Sequence, residues 1–202
     1  MGRPETRLIS DCALAAIDTD RRCEMAANRG GGWSGPAYRM QIDFRVPLDF
    51  AFAWCTDYSP EDGKLESETY RRKIVERTRR RVVFEDLEET KDGWIWSRDV
   101  VVLSPPRRWH TDGVGNHRDY TADYVLTPLT DGQTRLDLRW RRRPLNPAAA
   151  KLTKAQREAS ALRSWKLFRA AIVARMIFER SVRIRKGIIG IRLNLILQYH
   201  GV

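Results

Sequence analysis

His110 and Asp112 form the one pair in this sequence whose residue types and spacing suit acid–base chemistry. Two positions apart on a predicted strand, both side chains point to the same face, because strand side chains alternate between faces. A carboxylate beside an imidazole fixes the tautomer of the ring, which can then accept a proton. The pair is therefore the candidate general base, although a His-x-Asp spacing is also common where it has no catalytic role.

A second polar pair, Arg98 and Asp99, interrupts an apolar predicted strand. Alternation sends one of the two side chains inward and the other outward. An inward Arg98 would bind a ligand carboxylate or hydroxyl through two parallel hydrogen bonds. The alternative for Arg98 is an ion pair with a neighbouring strand.

Large side chains recur at positions predicted to face the space between a sheet and a helix. Their rings could stack on a flat ligand, and tyrosine hydroxyls or tryptophan N–H groups could orient that ligand. The alternative is that they fill an ordinary core. The candidate ligand-binding residues are Arg98 together with Trp54, Phe84, Trp96, Tyr120, Tyr124, Trp140, Trp165 and Phe168.

The formal net charge of +11 favours polyanions or anionic membranes as partners, unless the basic surface is simply solvated. Two arginine-rich runs, 77–81 and 139–143, could contact phosphates. The first run is typical of a turn between charged strands. In the second, alternation turns Trp140 away from Arg139 and Arg141, which argues against base stacking beside phosphate contacts. Nucleic acid is therefore not the predicted partner.

No cofactor and no metal are predicted, and the thiols are expected to be reduced. The sequence has no nucleophile elbow, phosphate loop or dinucleotide fingerprint. It has neither a secretory segment nor the roughly 20 consecutive apolar residues of a spanning helix, so we expect a cytoplasmic protein. The cysteines and histidines lack the spacing of metal ligands; they are Cys12, Cys23, Cys55, His110, His117 and His200.

The elements that must position these residues are mostly strands. Apolar residues alternate with polar ones from Tyr38 to Val46, a half-buried strand, and a short helical stretch follows Pro47. Two Asp-Gly turns, at Asp92 and Asp131, join later strands in tight hairpins. The sequence therefore predicts six or seven antiparallel strands, with the later ones at 68–76, 80–89, 94–103, 109–114, 120–128 and 134–143.

A long helix is predicted from Thr153 to Arg180, because large apolar residues recur there at helical spacing. We divide the chain into an N-terminal arm (1–36), a ligand-binding domain (37–180) and a basic, apolar tail (181–202). The tail could dock on the sheet, pair with another chain or contact an anionic membrane surface.

In order and spacing, these elements resemble the START-like superfamily, also called SRPBCC or polyketide cyclase/dehydrase-like proteins. The resemblance covers about residues 38–179. The motifs are IDFRVPLD (42–49), FxWxxD (52–57), VVLSPPRRW (101–109), YVLTP (124–128) and DGQTRL (131–136), followed by the long helix.

The resemblance implies an α+β helix-grip fold, in which a curved antiparallel sheet of about seven strands wraps around a long C-terminal helix. Members of this superfamily bind or convert lipids, sterols, polyketides, quinones or plant hormones. We therefore predict a binding protein for a hydrophobic small molecule such as a lipid, a quinone or a polyketide-like compound. The alternatives are an aromatase/cyclase-type enzyme and a protein that contacts membranes or nucleic acid.

Overall fold

The computed structural model describes residues 33, 35–65, 67–145 and 152–199, with side chains described as far as Val182. The compact unit discussed below begins at Gly35. Most of the predicted N-terminal arm lies outside the described residues, and so do Cys12, Cys23 and His200. Residues 200–202 of the predicted tail also lie outside, as do its side chains beyond Val182.

The described residues form a seven-stranded antiparallel sheet and a long C-terminal helix, which confirms the predicted fold class. The strands lie in the order β1-β7-β6-β5-β4-β3-β2, so each later strand pairs with its neighbour in sequence, while β1 pairs with the last strand. The elements are β1 (Tyr38–Phe44), α1 (Leu48–Cys55), α2 (Pro60–Lys64), β2 (Arg71–Arg77), β3 (Arg81–Thr90), β4 (Gly93–Ser104), β5 (Arg108–Gly115), β6 (Arg118–Pro128), β7 (Thr134–Pro144) and α3 (Lys154–Tyr199).

Strand β1 shows the alternation that its sequence predicts. Met40 and Phe44 are buried, whereas Arg39 and Gln41 are exposed. Met40 and Ile42 lie opposite Leu138 and Leu136 of β7, and Phe44 lies opposite the buried Thr134. The two strands therefore present one continuous apolar face to the helix.

A short helix, α2, contains Asp62 and Gly63. Ser59 caps this helix, because its hydroxyl accepts a hydrogen bond from the Glu61 N–H at 3.2 Å. Pro60 occupies the first helical position, where its missing N–H costs nothing. This local chemistry favours one helical turn over an isolated loop.

Helix α3 begins with a capping box. The Gln156 N–H donates to Thr153 Oγ1 at 3.3 Å, and the Thr153 N–H donates to Gln156 Oε1 at 2.9 Å. The helix continues to Tyr199, past the predicted end at Arg180. No helix in the described part of the chain is both long and apolar enough to cross a membrane.

The core lies between the sheet and α3. Ile172 of the helix is fully buried and belongs to the same apolar cluster as Phe44 and Leu136 of the sheet. Farther along the helix, Ile177 and Phe178 are 57% and 61% exposed. Among the helix side chains that the structure describes, Ile172 therefore belongs to the core, whereas Ile177 and Phe178 do not.

Candidate functional site

A cavity of about 240 Å³ lies between the sheet, helices α1 and α2, and helix α3. Side chains from several elements and the loops beside them line it, so that the site exists only in the assembled fold. Most of the lining is aromatic or polar. The lining residues are Trp54, Cys55, Tyr58, Asp62, Gly63, Tyr70, Arg72, Trp109, Thr111, Tyr120, Tyr124, Ala161, Ser164, Trp165 and Phe168.

Stacked rings form one wall of this cavity. Trp109 of β5 lies directly opposite Tyr124 of β6, and their rings stack with centroids 4.7 Å apart and planes within 7°. From the helix, Trp165 approaches Tyr124 at 6.2 Å and Phe168 at 5.4 Å between centroids. Such a wall offers flat apolar surface to a ligand.

The opposite end of the cavity is polar. Arg72 donates two parallel hydrogen bonds to the carboxylate of Asp86, from Nε at 2.8 Å and from Nη2 at 2.9 Å. Arg72 Nη2 also donates to the Tyr70 hydroxyl at 2.6 Å, and that hydroxyl donates to Asp86. Burial lowers the pKa of Arg72, but the hydrogen bonds and charge of Asp86 outweigh it and raise the pKa. The guanidinium is therefore a fixed cation at the cavity end.

A buried carboxyl group, Asp99, lies behind the cavity wall. It is 1% exposed, accepts a hydrogen bond from the Tyr120 hydroxyl, and accepts another from Ser97 Oγ at 2.8 Å. Gly113 lies opposite Asp99 on β5, and a Cβ there would overlap both the Tyr120 ring and Asp99. Burial raises the pKa of Asp99 to about 6, although the bonds from Tyr120 and Ser97 oppose this.

We expect the buried Asp99 to make the protein less stable as the pH rises. Its pKa increases from 3.8 in the unfolded chain to about 6 in the fold, so between these pH values the folded state holds more protons. At 1.36 kcal/mol per pKa unit, the contribution of Asp99 to the free energy of unfolding should fall by about 2–3 kcal/mol from pH 4 to pH 7. Urea denaturation at both pH values measures this decrease.

The Asp99→Asn variant is the control for this pH dependence. Asp62 titrates in the same direction, because burial and the charge of Asp57 raise its pKa to about 7. The variant should keep the Asp62 contribution and lose that of Asp99. A wild type and variant with equal pH dependence would contradict the assignment.

A second cavity, of about 360 Å³, adjoins the first near the start of α3. Five of its lining residues also line the first cavity. Three arginines line this second cavity, whereas aromatic side chains form most of the lining of the first cavity, which is called the aromatic slot below. The lining residues are Arg118, Tyr120, Ala122, Tyr124, Leu138, Trp140, Arg142, Leu152, Arg157, Ser160, Ala161, Ser164 and Trp165.

Six of the nine predicted ligand-binding residues line these cavities. Trp140 lines the second cavity and stacks on Tyr38 with centroids 5.3 Å apart. Phe84 lies in the core. Its ring stacks on Tyr58 with centroids 4.9 Å apart, and Cζ of Arg72 lies 4.3 Å from the Phe84 ring centroid. The five others line the first cavity: Trp54, Tyr120, Tyr124, Trp165 and Phe168.

The predicted roles of Arg98 and Trp96 require correction. Both alternate with Asp99, which bonds to the cavity-lining Tyr120, so they lie on the opposite face of the sheet. There Arg98 lies directly across from Glu85, with Nη1 and Oε1 3.5 Å apart. The cross-strand ion pair, rather than a ligand contact, accounts for Arg98.

The predicted general base is likewise on the wrong face. Trp109 and Thr111 line the cavity, so His110 and Asp112, which alternate with them, point away from it. The imidazole is held between two carboxylates, with Nε2 3.2 Å from Asp112 and Nδ1 2.7 Å from Asp123. This pair cannot touch a ligand in the cavity.

These contacts predict an unusually basic histidine. The hydrogen bond to Asp112 and that to Asp123, against partial burial, raise the pKa of His110 to about 9. An NMR titration of the imidazole should give that value, and Asp112→Asn should move it toward the ordinary 6.5. A wild-type midpoint at the ordinary value would show that the carboxylates do not hold the ring.

Sequence reasoning missed several cavity residues. The signal for Trp109 and Thr111 was present, because the apolar members of that strand alternate with His110 and Asp112. Arg72 gave no such signal, since it lies between two other basic residues. Thr111 Oγ1 is buried beside the hydroxyls of Tyr58 and Tyr124, yet has no partner in hydrogen-bond geometry among the described residues.

Among the residues that the structure describes, no group of three or more histidine, cysteine, aspartate or glutamate side chains is placed to hold a metal ion. Cys55, a free thiol at the cavity, has its pKa raised by burial and by the charges of Asp57 and Asp62. It is therefore a protonated lining group rather than a nucleophile.

Solved structures share this fold at low sequence identity. A START superfamily protein from Mycobacterium smegmatis aligns at 12% identity and a TM-score of 0.56, over 69% of this chain and 99% of that one. The protein TTHA0849 from Thermus thermophilus aligns at 15% identity and 0.57, over 69% and 98%. The Zhui aromatase/cyclase from a Streptomyces species aligns at 12% and 0.52, over 69% and 92%. No family model and no curated protein matches the sequence.

Proposed function

We propose that this chain, whose fold is the START-like helix-grip fold, binds a hydrophobic small molecule between its sheet and helix α3. One observation carries the proposal: a cavity walled by the stacked rings of Trp109 and Tyr124 lies where the fold leaves space. A flat apolar molecule, such as a quinone or a polyketide-like compound, would displace water from that wall.

The polar end of the cavity supports selectivity for a ligand with oxygen atoms. Arg72 is held by Asp86, and Tyr58 and Tyr70 line the same end. A purely aliphatic ligand would leave Thr111 Oγ1, a buried cavity atom with no hydrogen-bond partner among the described residues, unsatisfied at a cost in affinity. We therefore infer an aromatic or polycyclic ligand with a carbonyl or hydroxyl group at one end.

The experiment is to fill the cavity from the helix. Ala161 lines both cavities, and Ala161→Trp would place an indole in their shared space. We expect wild-type protein to bind the neutral fluorescent probe N-phenyl-1-naphthylamine in a saturable, one-to-one manner. The Ala161→Trp variant should lose this binding while keeping its far-UV circular dichroism spectrum.

The matched control is Ala170→Trp, which adds the same side chain at an exposed position of the same helix. We expect this variant to bind the probe as the wild type does. Absence of saturable binding to the wild type, or equal binding by both tryptophan variants, would overturn the proposal. If the probe binds as expected, mass spectrometry of small molecules released from the purified protein would identify the natural ligand class.

A second candidate function is acid catalysis on a carbonyl-containing ligand. It is favoured by the hydrogen bond of Tyr120, which lines the cavity, to the buried Asp99. When Asp99 is protonated, it can donate its proton to the Tyr120 oxygen, which frees the Tyr120 O–H to donate to a ligand oxygen that gains negative charge. Tyr120→Phe would then abolish conversion of a poly-β-keto thioester while leaving probe binding intact; no conversion by the wild type would remove this candidate.

A further inference from the structure

Three arginines from three elements converge on the second cavity. Arg118 comes from β6, Arg142 from β7 and Arg157 from α3. The described lining contains no aspartate or glutamate side chain. The cavity therefore carries positive charge on several sides.

Arg142 is the central member of this cluster. It lies directly opposite Tyr120 on the neighbouring strand, and its Nε is buried without a hydrogen-bond partner among the described residues. Burial, and then the like charges of Arg118 and Arg157, lower its pKa to about 10. A guanidinium in such a place is stabilised by an anion that accepts from its free donor.

The second cavity adjoins the first, and five residues line both. Tyr120, Tyr124 and Trp165 line both, and so do two small residues of α3. A single molecule could therefore fill the slot with rings and reach the arginines with one end. An isolated small anion would use the arginines but leave the slot empty.

We propose that the second cavity binds the carboxylate or phosphate of an amphipathic ligand whose apolar part fills the first cavity. Guanidinium groups suit this task, because their planar donors match two oxygens of such a group at once. This inference rests on the proposed function, since it assumes a ligand in the aromatic slot.

Two matched probes test the inference. N-phenyl-1-naphthylamine is neutral, whereas 1-anilinonaphthalene-8-sulfonate carries an oxyanion on the same ring system. We expect the sulfonate to bind roughly tenfold or more tightly than the neutral probe, because it adds charge-assisted hydrogen bonds. Equal affinities for the two probes would overturn the inference while leaving the proposed function intact.

Charge-removing variants locate the contact. Arg142→Gln should weaken the sulfonate probe about tenfold and leave the neutral probe unchanged, and Arg118→Gln should act in the same direction. The control is Arg139→Gln, an exposed position of the same strand with the same loss of charge. If Arg139→Gln weakens the sulfonate as much as Arg142→Gln does, the effect is general electrostatics and the inference fails.

Competition with inorganic phosphate distinguishes a ligand head group from a free anion. Phosphate should displace the sulfonate only at concentrations roughly tenfold or more above those of the probe, because phosphate cannot occupy the aromatic slot. Phosphate that competes as strongly as the sulfonate would overturn the assignment to a ligand. Failure of the neutral probe to bind would instead disprove the proposed function.

Discussion

Replacing Arg72 with methionine should destabilise the fold by about 3–5 kcal/mol, because it leaves the carboxylate of Asp86 buried without its counter-ion. The side chains of Arg72 and Asp86 are only 10% and 14% exposed, and their two parallel hydrogen bonds are short. Among the described residues, the Tyr70 hydroxyl would then be the remaining side-chain donor to Asp86. Urea denaturation at pH 7 measures the loss.

Two further variants test whether the loss of stability comes from the buried ion pair. Arg72→Met combined with Asp86→Leu should recover most of the stability, since no charge is then left buried. Arg81→Met breaks a comparable but exposed pair with Glu76, whose side chains are 50% and 39% exposed, and should cost less than about 1 kcal/mol. Similar losses for Arg72→Met and Arg81→Met would mean that water screens the cavity pair.

The Ile172→Ala substitution should cost about 2–5 kcal/mol, because it removes a fully buried side chain from the contact between α3 and the sheet. Ile177→Ala on the same helix provides the control. Ile177 is 57% exposed, so its truncation should change stability by no more than about 0.5 kcal/mol. Thermal denaturation of both variants compares them directly.

This pair of variants also tests how far α3 is a core helix. If Ile177→Ala destabilised the protein as much as Ile172→Ala, the exposed Ile177 side chain would have to be buried in solution. If neither substitution had an effect, the helix would contribute little to the stability of the sheet.

The fold was predictable because hydrophobic periodicity is strong in the decisive elements. Buried Met40 and Phe44 alternate with exposed residues, which identifies β1, and Ile172 recurs at helical spacing with Trp165. Asp92 precedes Gly93, whose φ of 112° suits a tight turn, and this turn sets the register between β3 and β4. Local chemistry therefore determined the order and pairing of these strands.

The faces of the polar strands were harder to predict. Alternation correctly places His110 and Asp112 on one face, but it does not say which face meets the helix. The answer depends on the more apolar Trp109, whose ring stacks on Tyr124 of the next strand. The pairing between strands therefore decides which face of the sheet the His110 side chain occupies.

The polar end of the cavity was harder still to predict, because it depends on how β2 and β3 pair. Arg72 lies opposite Asp86 only because β2 and β3 pair in one register, with an irregularity between Ile74 and Glu76. A basic residue among basic neighbours gives no sign that it will form a buried ion pair with a carboxylate. The length of α3 was also underestimated, since a glycine costs a helix only about 1 kcal/mol, and Gly187 and Gly190 do not end it.

The open sheet has two edge strands, β1 and β2, and each carries a feature that hinders strand addition by another chain. On β2 the irregularity at Ile74 and Glu76 breaks the regular row of backbone groups, and exposed basic residues flank it. On β1 the backbone N–H of Arg39 donates to Glu158 of α3 at 2.8 Å. The helix that closes the cavity thus also occupies a donor that could otherwise template aggregation.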